Sequence, residues 1–566
     1  MSLSLRSSIS YRTVVSVALT KERRALLCVL LFAALAVLPA LMKGVPSNID
    51  LDNHFRVALP FYESVRAGNL SPSWLAESNG GYGDVSFRFY PPAFFYLLSA
   101  ARSLCGDWYA ATLLVFLLLS ISGALGAYLW AREFLQPQFA LWAGVFYTIA
   151  PYHLNELYQA ALLPEYAAGA VLPFTFLFVE RVCRRGRAQD VGALALSYSA
   201  LIFTHLPLTV IGSLALCFYA LLRIERAKLW ATLLKLSFAV LLGLIATACY
   251  WTTMVAELGW INGTDPAADY RQNFLFSSFS ADDASVWWVS IIALCTVALF
   301  APALAHLRRT HDESFPARGV KALALLLLFS LLIATPLARP LWDHFRPLRE
   351  VQYPWRWLAV SSLAGALLVS TSSPGWLSYA RSKQRPLALL MIGCVLLSLT
   401  FSSAHIMREA QYLSQEKFAS LLRSLPGTPC VSLWFPIWAV EPLREMSGDV
   451  EAGQRAVVIN EWQPERRVFH VEAGAAATAR VRTFYYPLWV ATANGKPLET
   501  HPSRDGALLI SLPADAATVQ LELREPLRTR ISSIVSVVGW ALIVALLLWE
   551  FFRKRNATRA SSEYEF

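Results

Sequence analysis

The sequence predicts a polytopic α-helical membrane protein of about twelve transmembrane helices, with a small extracytoplasmic β-sandwich before the last helix. Three observations carry this. The 566 residues are 56% hydrophobic and only 16% charged, with mean hydropathy +0.45, whereas an ordinary soluble domain is about a quarter charged. Apolar runs of about 17–25 residues, the length a bilayer core demands of a helix, recur along most of the chain. Between 455 and 526 the pattern changes to strict alternation, the mark of half-buried strands.

The formal net charge is +10, but the basic residues sit in short loops between apolar runs, where they set orientation. No basic face with interleaved aromatics is present, so membrane lipids are expected as partners and nucleic acid is not. Cys28, Cys217, Cys249, Cys295 and Cys394 lie within apolar runs and Cys183 in a basic loop. Only Cys105 and Cys430 are placed to reach an oxidising compartment, which allows one disulfide at most.

Residues 1–24 carry Arg6, Arg12, Lys21, Arg23 and Arg24 and read as a cytoplasmic segment before a retained first helix at 25–42. The outer loop 43–108 follows. Its apolar piece at 91–105 is short and contains Arg102, which suits an interfacial or re-entrant helix. Further spans are expected at 109–130, 135–151, 165–179, 191–204, 208–222, 230–250, 286–307, 320–337, 357–371 and 387–402, with a second large outer loop at 251–285. With 91–105 left outside the count, Arg181–Arg187, Arg223–Lys228, Arg308–Arg309 and Arg381–Arg385 all fall on the cytoplasmic side. The transmembrane domain thus occupies 25–402. Residues 403–528 form an extracytoplasmic helix (407–425) and the sandwich, with Asn494-Gly495 as a hairpin turn. A final helix at 529–552 precedes a cytoplasmic tail, 553–566.

The polar groups cluster on the outer side. Asp50 and Asp52, with His54, are the sharpest set. A carboxylate here can take a proton as general base, or two can hold a hard divalent cation such as Mg or Mn, or they can cap a helix start. Tyr152, His153, Glu156, Glu165 and His205 lie at the outer ends of other spans, as do Arg349, Gln352 and Arg356. An acid just inside a span, as Glu165 is, usually has a function. A cation such as Arg56, Arg349 or Arg356 can pair with a lipid phosphate, although Arg, Trp and Tyr also populate interfaces for purely positional reasons. There is no dinucleotide fingerprint, P-loop, nucleophile elbow or zinc-protease motif.

Asp50-Leu51-Asp52-Asn53-His54 leads to Ala67-Gly68-Asn69-Leu70-Ser71-Pro72-Ser73-Trp74. Gly80-Gly81-Tyr82-Gly83 leads to Phe89-Tyr90-Pro91-Pro92, and Pro151-Tyr152-His153 runs through Leu157-Tyr158 to Glu165. With Val351-Gln352-Tyr353-Pro354-Trp355-Arg356, and more weakly Tyr485-Tyr486-Pro487-Leu488-Trp489, these passages resemble a bacterial family of 6-pyruvoyl-tetrahydropterin-synthase-related multi-pass membrane proteins. That family in turn is similar to the GT-C membrane glycosyltransferases. The resemblance implies an inverting transfer of a sugar from a polyprenyl-phosphate donor to an extracytoplasmic glycan, lipid or protein acceptor, in a bacterial cytoplasmic (inner) membrane. It places Asp50 or Asp52 at the catalytic centre, with His54 and Glu165 in support. Arg56, Arg349 and Arg356 are the candidates for the donor phosphate. The histidine set of the soluble zinc enzyme in the family's name is absent. A lipid-linked glycan transporter and a non-catalytic envelope-assembly scaffold are the rival readings.

Overall fold

The computed structural model describes residues 3–47, 50–263, 269–277, 284–307, 315–381, 383, 385–429 and 434–563. Cys430 and the Arg308–Arg309 pair lie outside the described residues. The chain opens with α1 (Leu3–Lys43), which is apolar over 20–43 and ends at Gly44. Gly44 has φ +119°, and a Cβ there would stand 2.0 Å from the Leu413 carbonyl oxygen. Its absence lets β1 (Val45–Pro46) pair antiparallel with β2 (Tyr412–Leu413), so the first loop is stitched to a segment about 370 residues later.

The surface helix α2 (Leu51–Arg66) buries Leu51, Phe55, Ala58 and Phe61 at helical spacing, the stripe expected of an amphipathic helix. His54 falls on that stripe and is buried with it. After the loop at 67–92 comes α3 (Ala93–Cys105). Its 13 residues span about 20 Å, short of a hydrocarbon core of about 30 Å.

The bundle continues with α4 (Trp108–Ala131), α5 (Pro137–Thr148), the five-residue α6 (Pro151–Asn155) and a π-helical turn, Glu156–Ala160. It runs on through α7 (Leu163–Arg184), α8 (Ala188–Thr204), α9 (Leu206–Arg223), α10 (Leu229–Ala246) and α11 (Ala248–Glu257). Then follow α12 (Ala284–Leu307), α13 (Phe315–Ile333), the short α14 (Arg339–His344) and α15 (Arg346–Arg349), α16 (Leu358–Ala380) and α17 (Arg385–Glu409).

Among the described residues eight helices are long and apolar enough to cross a membrane, or nine if 318–333 and 336–344, bent by 84°, form one span. The expected twelve exceeds this at 135–151, 191–204 and 286–307. The first two form α5 with 12 residues and α8 with 17; the third lies in α12, whose 24 residues are apolar along their length and whose described side chains end at Ala298. Short helices suit positions where neighbouring helices cover the ends of the segment and bilayer thickness does not set its length.

At the end of the bundle remote from the strands, the loop charges are matched. Glu133, 4% exposed in its side chain, accepts from Arg181, Arg184 and Arg185, and Glu22 pairs with Arg132. Between α7 and α9, Arg223 grips Glu180 with Nε and Nη2 at 2.8 and 2.7 Å.

The helix expected at 407–425 is divided. α17 runs to Glu409, β2 follows, and α18 (Gln415–Ser424) begins after the Ser414 N-cap. The pairing with β1 interrupts it. The strands are β3 (Val450–Glu451), β4 (Val457–Gln463), β5 (Arg466–Val471), β6 (Ala477–Phe484), β7 (Trp489–Ala493), β8 (Lys496–Leu498), β9 (Thr500–Pro502), β10 (Ala507–Leu512) and β11 (Ala517–Leu523). They form two antiparallel sheets, in the orders β3-β6-β10-β9 and β4-β5-β11-β7-β8. Asn494 and Gly495, with φ 49° and 80°, make the β7–β8 turn, the geometry an Asn-Gly hairpin requires. Phe469, Val481, Leu508, Ile510, Val519 and Leu521 fill the space between the sheets. A helix, α19 (Leu527–Glu563), closes the chain.

The sandwich does not stand alone. Trp74, Tyr82, Val85 and Phe89 of the first loop belong to its apolar core. Tyr82 donates to the Arg444 carbonyl (2.7 Å) and its own carbonyl accepts from Phe484. The glycines at 80–83 therefore seat the β-domain on the loop. Beneath it, Glu257 is fully buried and accepts from Arg88, Tyr486 and Arg528 at 2.6–2.9 Å, while Arg88 also grips Glu525. One buried charge node thus joins the first loop, α11, the sandwich and α19.

Candidate functional site

Two deviations from ordinary backbone geometry flank the site. Ala161 (φ 52°) ends the π-helical turn, and Gln352 (φ 68°) precedes Tyr353 and Arg356. Non-glycine residues rarely adopt this conformation without a structural demand. At Ala161 the demand is visible: its backbone hydrogen-bonds the His54 imidazole. His54 Nε2 is buried and makes no hydrogen bond to a described residue. Burial pushes the His54 pKa down, against the opposing charges of Asp50 and Asp52, so the ring is neutral.

Asp50 is the N-cap residue of α2 and makes no capping bond; its Oδ1 accepts from Asn53 Nδ2 at 3.0 Å. Asp52 faces elsewhere. Its Oδ2 pairs with Arg56 at 3.2 Å, and its side chain is 40% exposed. Arg56 in turn donates to Thr428 Oγ1 and the Pro429 carbonyl, which engages it in fastening α2 to the segment after α18. Residues two apart on a helix point to different sides, so Asp50 and Asp52 do not form a joint cation site. Among the described residues no group of three or more His, Cys, Asp or Glu side chains is placed to hold a metal.

The second half of the site is built from α6, the π-helical turn, α7 and the start of α16. Glu165, 1% exposed, accepts from Tyr152 Oη and from Arg356 Nε, both at 2.8 Å. Arg356 also donates Nη1 to the Val351 carbonyl (2.7 Å) and stacks over the Tyr353 ring at 4.8 Å. Its Nη2 makes no bond within the described residues. His153 is stacked between Tyr147 and Tyr166, with ring centres 4.9 and 4.5 Å away, and its Nδ1 lies 3.1 Å from Glu156 Oε2. Gly169 makes room for this ring, since a Cβ there would stand 3.3 Å from His153 Cε1.

Burial drives the His153 pKa down to about 3. Burial and the neighbouring Glu165 charge push the Glu156 carboxyl well up. The Glu156 carboxyl is thus held toward its neutral form, and Arg356 pairs with Glu165 beside it.

Tyr90 joins the halves. Burial raises its pKa, Asp50 and Glu165 raise it further, and Arg356 opposes them, so all three lie within electrostatic reach of one phenol. His205, whose Nδ1 caps α9 by accepting from Leu208 N–H, is likewise within reach of Arg356 and His54. The structure thus brings Asp50, His54, Glu165, Arg356, Tyr152 and His205 together, with His153 and Glu156 adjoining. Asp52 and Arg56 pair with each other at the exposed side of α2, with Asp52 still within electrostatic reach of His54. Arg349 is exposed, with Nη2 on the Asp343 carbonyl at 2.5 Å. The backbone of Gln352 shapes the approach to Arg356, and its side chain bonds none of the described residues. Tyr90, Tyr147 and Tyr166 also adjoin the cluster, and spacing alone did not select them. The signal for Tyr90 was its place in Phe89-Tyr90-Pro91-Pro92.

These features define a multi-pass helical membrane protein with a charged cluster in which His54, Glu165 and Arg356 are buried. Residues 87–408 match the model of the 6-pyruvoyl-tetrahydropterin synthase related domain of membrane proteins. The chain belongs to that family. No curated protein matches it. Similar solved structures include the Archaeoglobus fulgidus oligosaccharyltransferase, at 13% identity and TM-score 0.42 over 73% of this chain and 60% of that one. A mycobacterial arabinofuranosyltransferase, AftD, shows 17% identity and TM-score 0.42 over 67% of this chain and 26% of that one. ArnT from Cupriavidus metallidurans, solved bound to undecaprenyl phosphate, shows 14% identity and TM-score 0.38 over 71% and 74%. The chain therefore spans less than two thirds of the length of the first two.

Proposed function

We propose that the protein is a membrane glycosyltransferase of the GT-C kind, transferring a sugar from a polyprenyl-phosphate donor to an extracytoplasmic acceptor. The reading is carried by one observation. Asp50, the neutral His54 and the Glu165–Arg356 pair, far apart in sequence, gather around Tyr90 at the β-domain end of the helical bundle.

In this reading the Asp50 carboxylate takes the proton of the acceptor hydroxyl, and His54 Nε2 makes a hydrogen bond that orients a sugar or acceptor hydroxyl. The acceptor oxygen forms its bond to the anomeric carbon as the bond to the donor phosphate oxygen breaks, which inverts the configuration. Polyprenyl phosphate leaves with the electron pair, and the uncommitted Nη2 of Arg356 meets its charge. Glu165 holds the guanidinium in place. The distribution of basic loops supports an extracytoplasmic site in a bacterial cytoplasmic membrane for this chemistry.

The test is transfer from a polyprenyl-phosphate-linked sugar by the purified full chain in a bilayer. Wild type is expected to turn over and Asp50→Asn to lose at least a hundredfold, in the range assigned to a positioned base. Turnover undiminished in Asp50→Asn would remove the assignment.

A further inference from the structure

A cavity of about 960 Å³ lies behind the wall formed by Tyr250 and Pro92, and none of the residues gathered around Asp50 lines it. Its boundaries are the first loop, α11, the exit of β11 and the first turns of α19. The walls carry aromatic rings, among them Phe61, Tyr96 and Tyr250, and hydroxyl and carboxyl groups, among them Ser71, Ser73 and Glu465. Leu527 and Ser533 of the last membrane helix border it as well, so a ligand can hold its head in the cavity and its tail in the bilayer.

The charge balance selects the ligand. Of the cations on the wall, Arg88 is consumed by Glu257 and Glu525, and Arg524 by Glu522 at 3.0 Å. Arg530 pairs with no group among the described residues, and it stands in the first turns of α19 at the cavity edge. Glu465 accepts from Asn69 at 3.1 Å and keeps a second oxygen for a hydroxyl donor. After internal pairing the cavity therefore offers one cation, Arg530, at its edge and one carboxylate, Glu465, across from it, with several hydrogen-bonding groups and aromatic faces. Aromatic faces pack on the C–H faces of a pyranose, and the polar groups suit its hydroxyls.

We propose that this cavity binds the head group of an anionic glycolipid, a sugar joined to a lipid through a phosphate, with the phosphate at Arg530 and the sugar between Glu465 and Tyr250. The proposal rests on the transferase reading for its biological sense: the cavity is the waiting or acceptor site, divided from the Asp50 centre by Tyr250, whose hydroxyl donates to the Phe89 carbonyl at 2.6 Å. Tyr90, the next residue, is within electrostatic reach of Asp50. A ligand pressing on Tyr250 acts on the segment that carries Tyr90.

Binding is measured by titration calorimetry on the full chain in nanodiscs. Three probes are used: an alkyl phosphohexoside, the alkyl phosphate lacking the sugar, and an uncharged alkyl hexoside. The phosphohexoside is expected to bind at least about tenfold tighter than either fragment, the value of one well-placed charged or polar contact. Arg530→Ala should bring it down to the uncharged hexoside, and Glu465→Gln to the sugar-free phosphate. Ser533→Trp, which fills the cavity, should remove the component of binding that Arg530→Ala weakens, while binding at the donor site around Arg356 stays in place. Equal affinity for the three probes, or affinities unmoved by Arg530→Ala and Ser533→Trp, overturns the proposal. Asp50→Asn should leave this binding intact. If that variant still transfers sugar while the cavity variants lose binding, the transferase assignment of Asp50 falls and the cavity site stands.

Discussion

Arg356 donates its Nε to Glu165 at 2.8 Å across 191 residues of sequence, and neither side chain is more than 9% exposed. An ion pair so enclosed is costly to break from one side, because the surviving charge keeps its burial and loses its partner. Glu165→Gln or Arg356→Ala alone should destabilise the bundle by about 3–5 kcal/mol. The double replacement Glu165→Gln with Arg356→Met should recover much of that loss while transfer stays abolished. Thermal unfolding in detergent, measured beside turnover, separates the two effects.

The two aspartates of the first loop should behave differently. Asp52 pairs with Arg56 four residues on and is 40% exposed, an arrangement worth a few tenths of a kcal/mol. Asp52→Asn is therefore expected to change turnover less than about threefold and stability by under about 0.5 kcal/mol. Asp50→Asn should remove turnover at unchanged stability. Equal loss from the two substitutions would show that the loop acts through its summed charge.

The β-domain carries its own acid sensitivity. Burial opposes ionisation of Asp505, but Arg480, the Ser503 hydroxyl and the Arg444 N–H hold its carboxyl well below the usual range. A carboxyl lowered on folding contributes stability that is complete above its unfolded value, about pH 4, and is lost as pH falls below it. Acid unfolding of the sandwich, followed through Trp489 fluorescence, should steepen below about pH 4. Asp505→Asn should flatten that dependence and lower stability at neutral pH.

Gly83 tests how the sandwich is seated. It has φ +86°, and a Cβ there would fall 2.3 Å from the Trp74 ring, which itself stacks edge-on against Trp489 at 5.3 Å. Gly83→Ala forces Trp74 out of the shared core, so limited proteolysis should cut within 67–92 sooner than in wild type. Gly68→Ala, also at positive φ but with nothing within 4 Å, controls for backbone strain alone.

The membrane-protein class, the β-domain and the first-loop acid were legible in the residues because each rests on a local pattern: apolar run length, alternation, and charge beside a span. The Asn494-Gly495 turn was legible for the same reason. The span count was less so, because α5 and α8 are short, and whether a short helix crosses depends on its neighbours.

What the sequence by itself determined is the chemistry on offer: a membrane-embedded bundle, a sandwich, and acids, histidines and arginines concentrated at one end. Only the tertiary structure decided which of them meet. Asp50 and Asp52 are two residues apart, yet helix geometry turns one toward the cluster at Tyr90 and the other toward Arg56. Glu165 and Arg356 are brought together by the packing of separate helices, and the Gly80-Gly81 turn became a seat for the sandwich because Tyr82 and Phe484 pair across it. Local periodicity sets which face of an element is apolar. Which faces share a site is set by contacts between elements remote in sequence, and no window along the chain contains them.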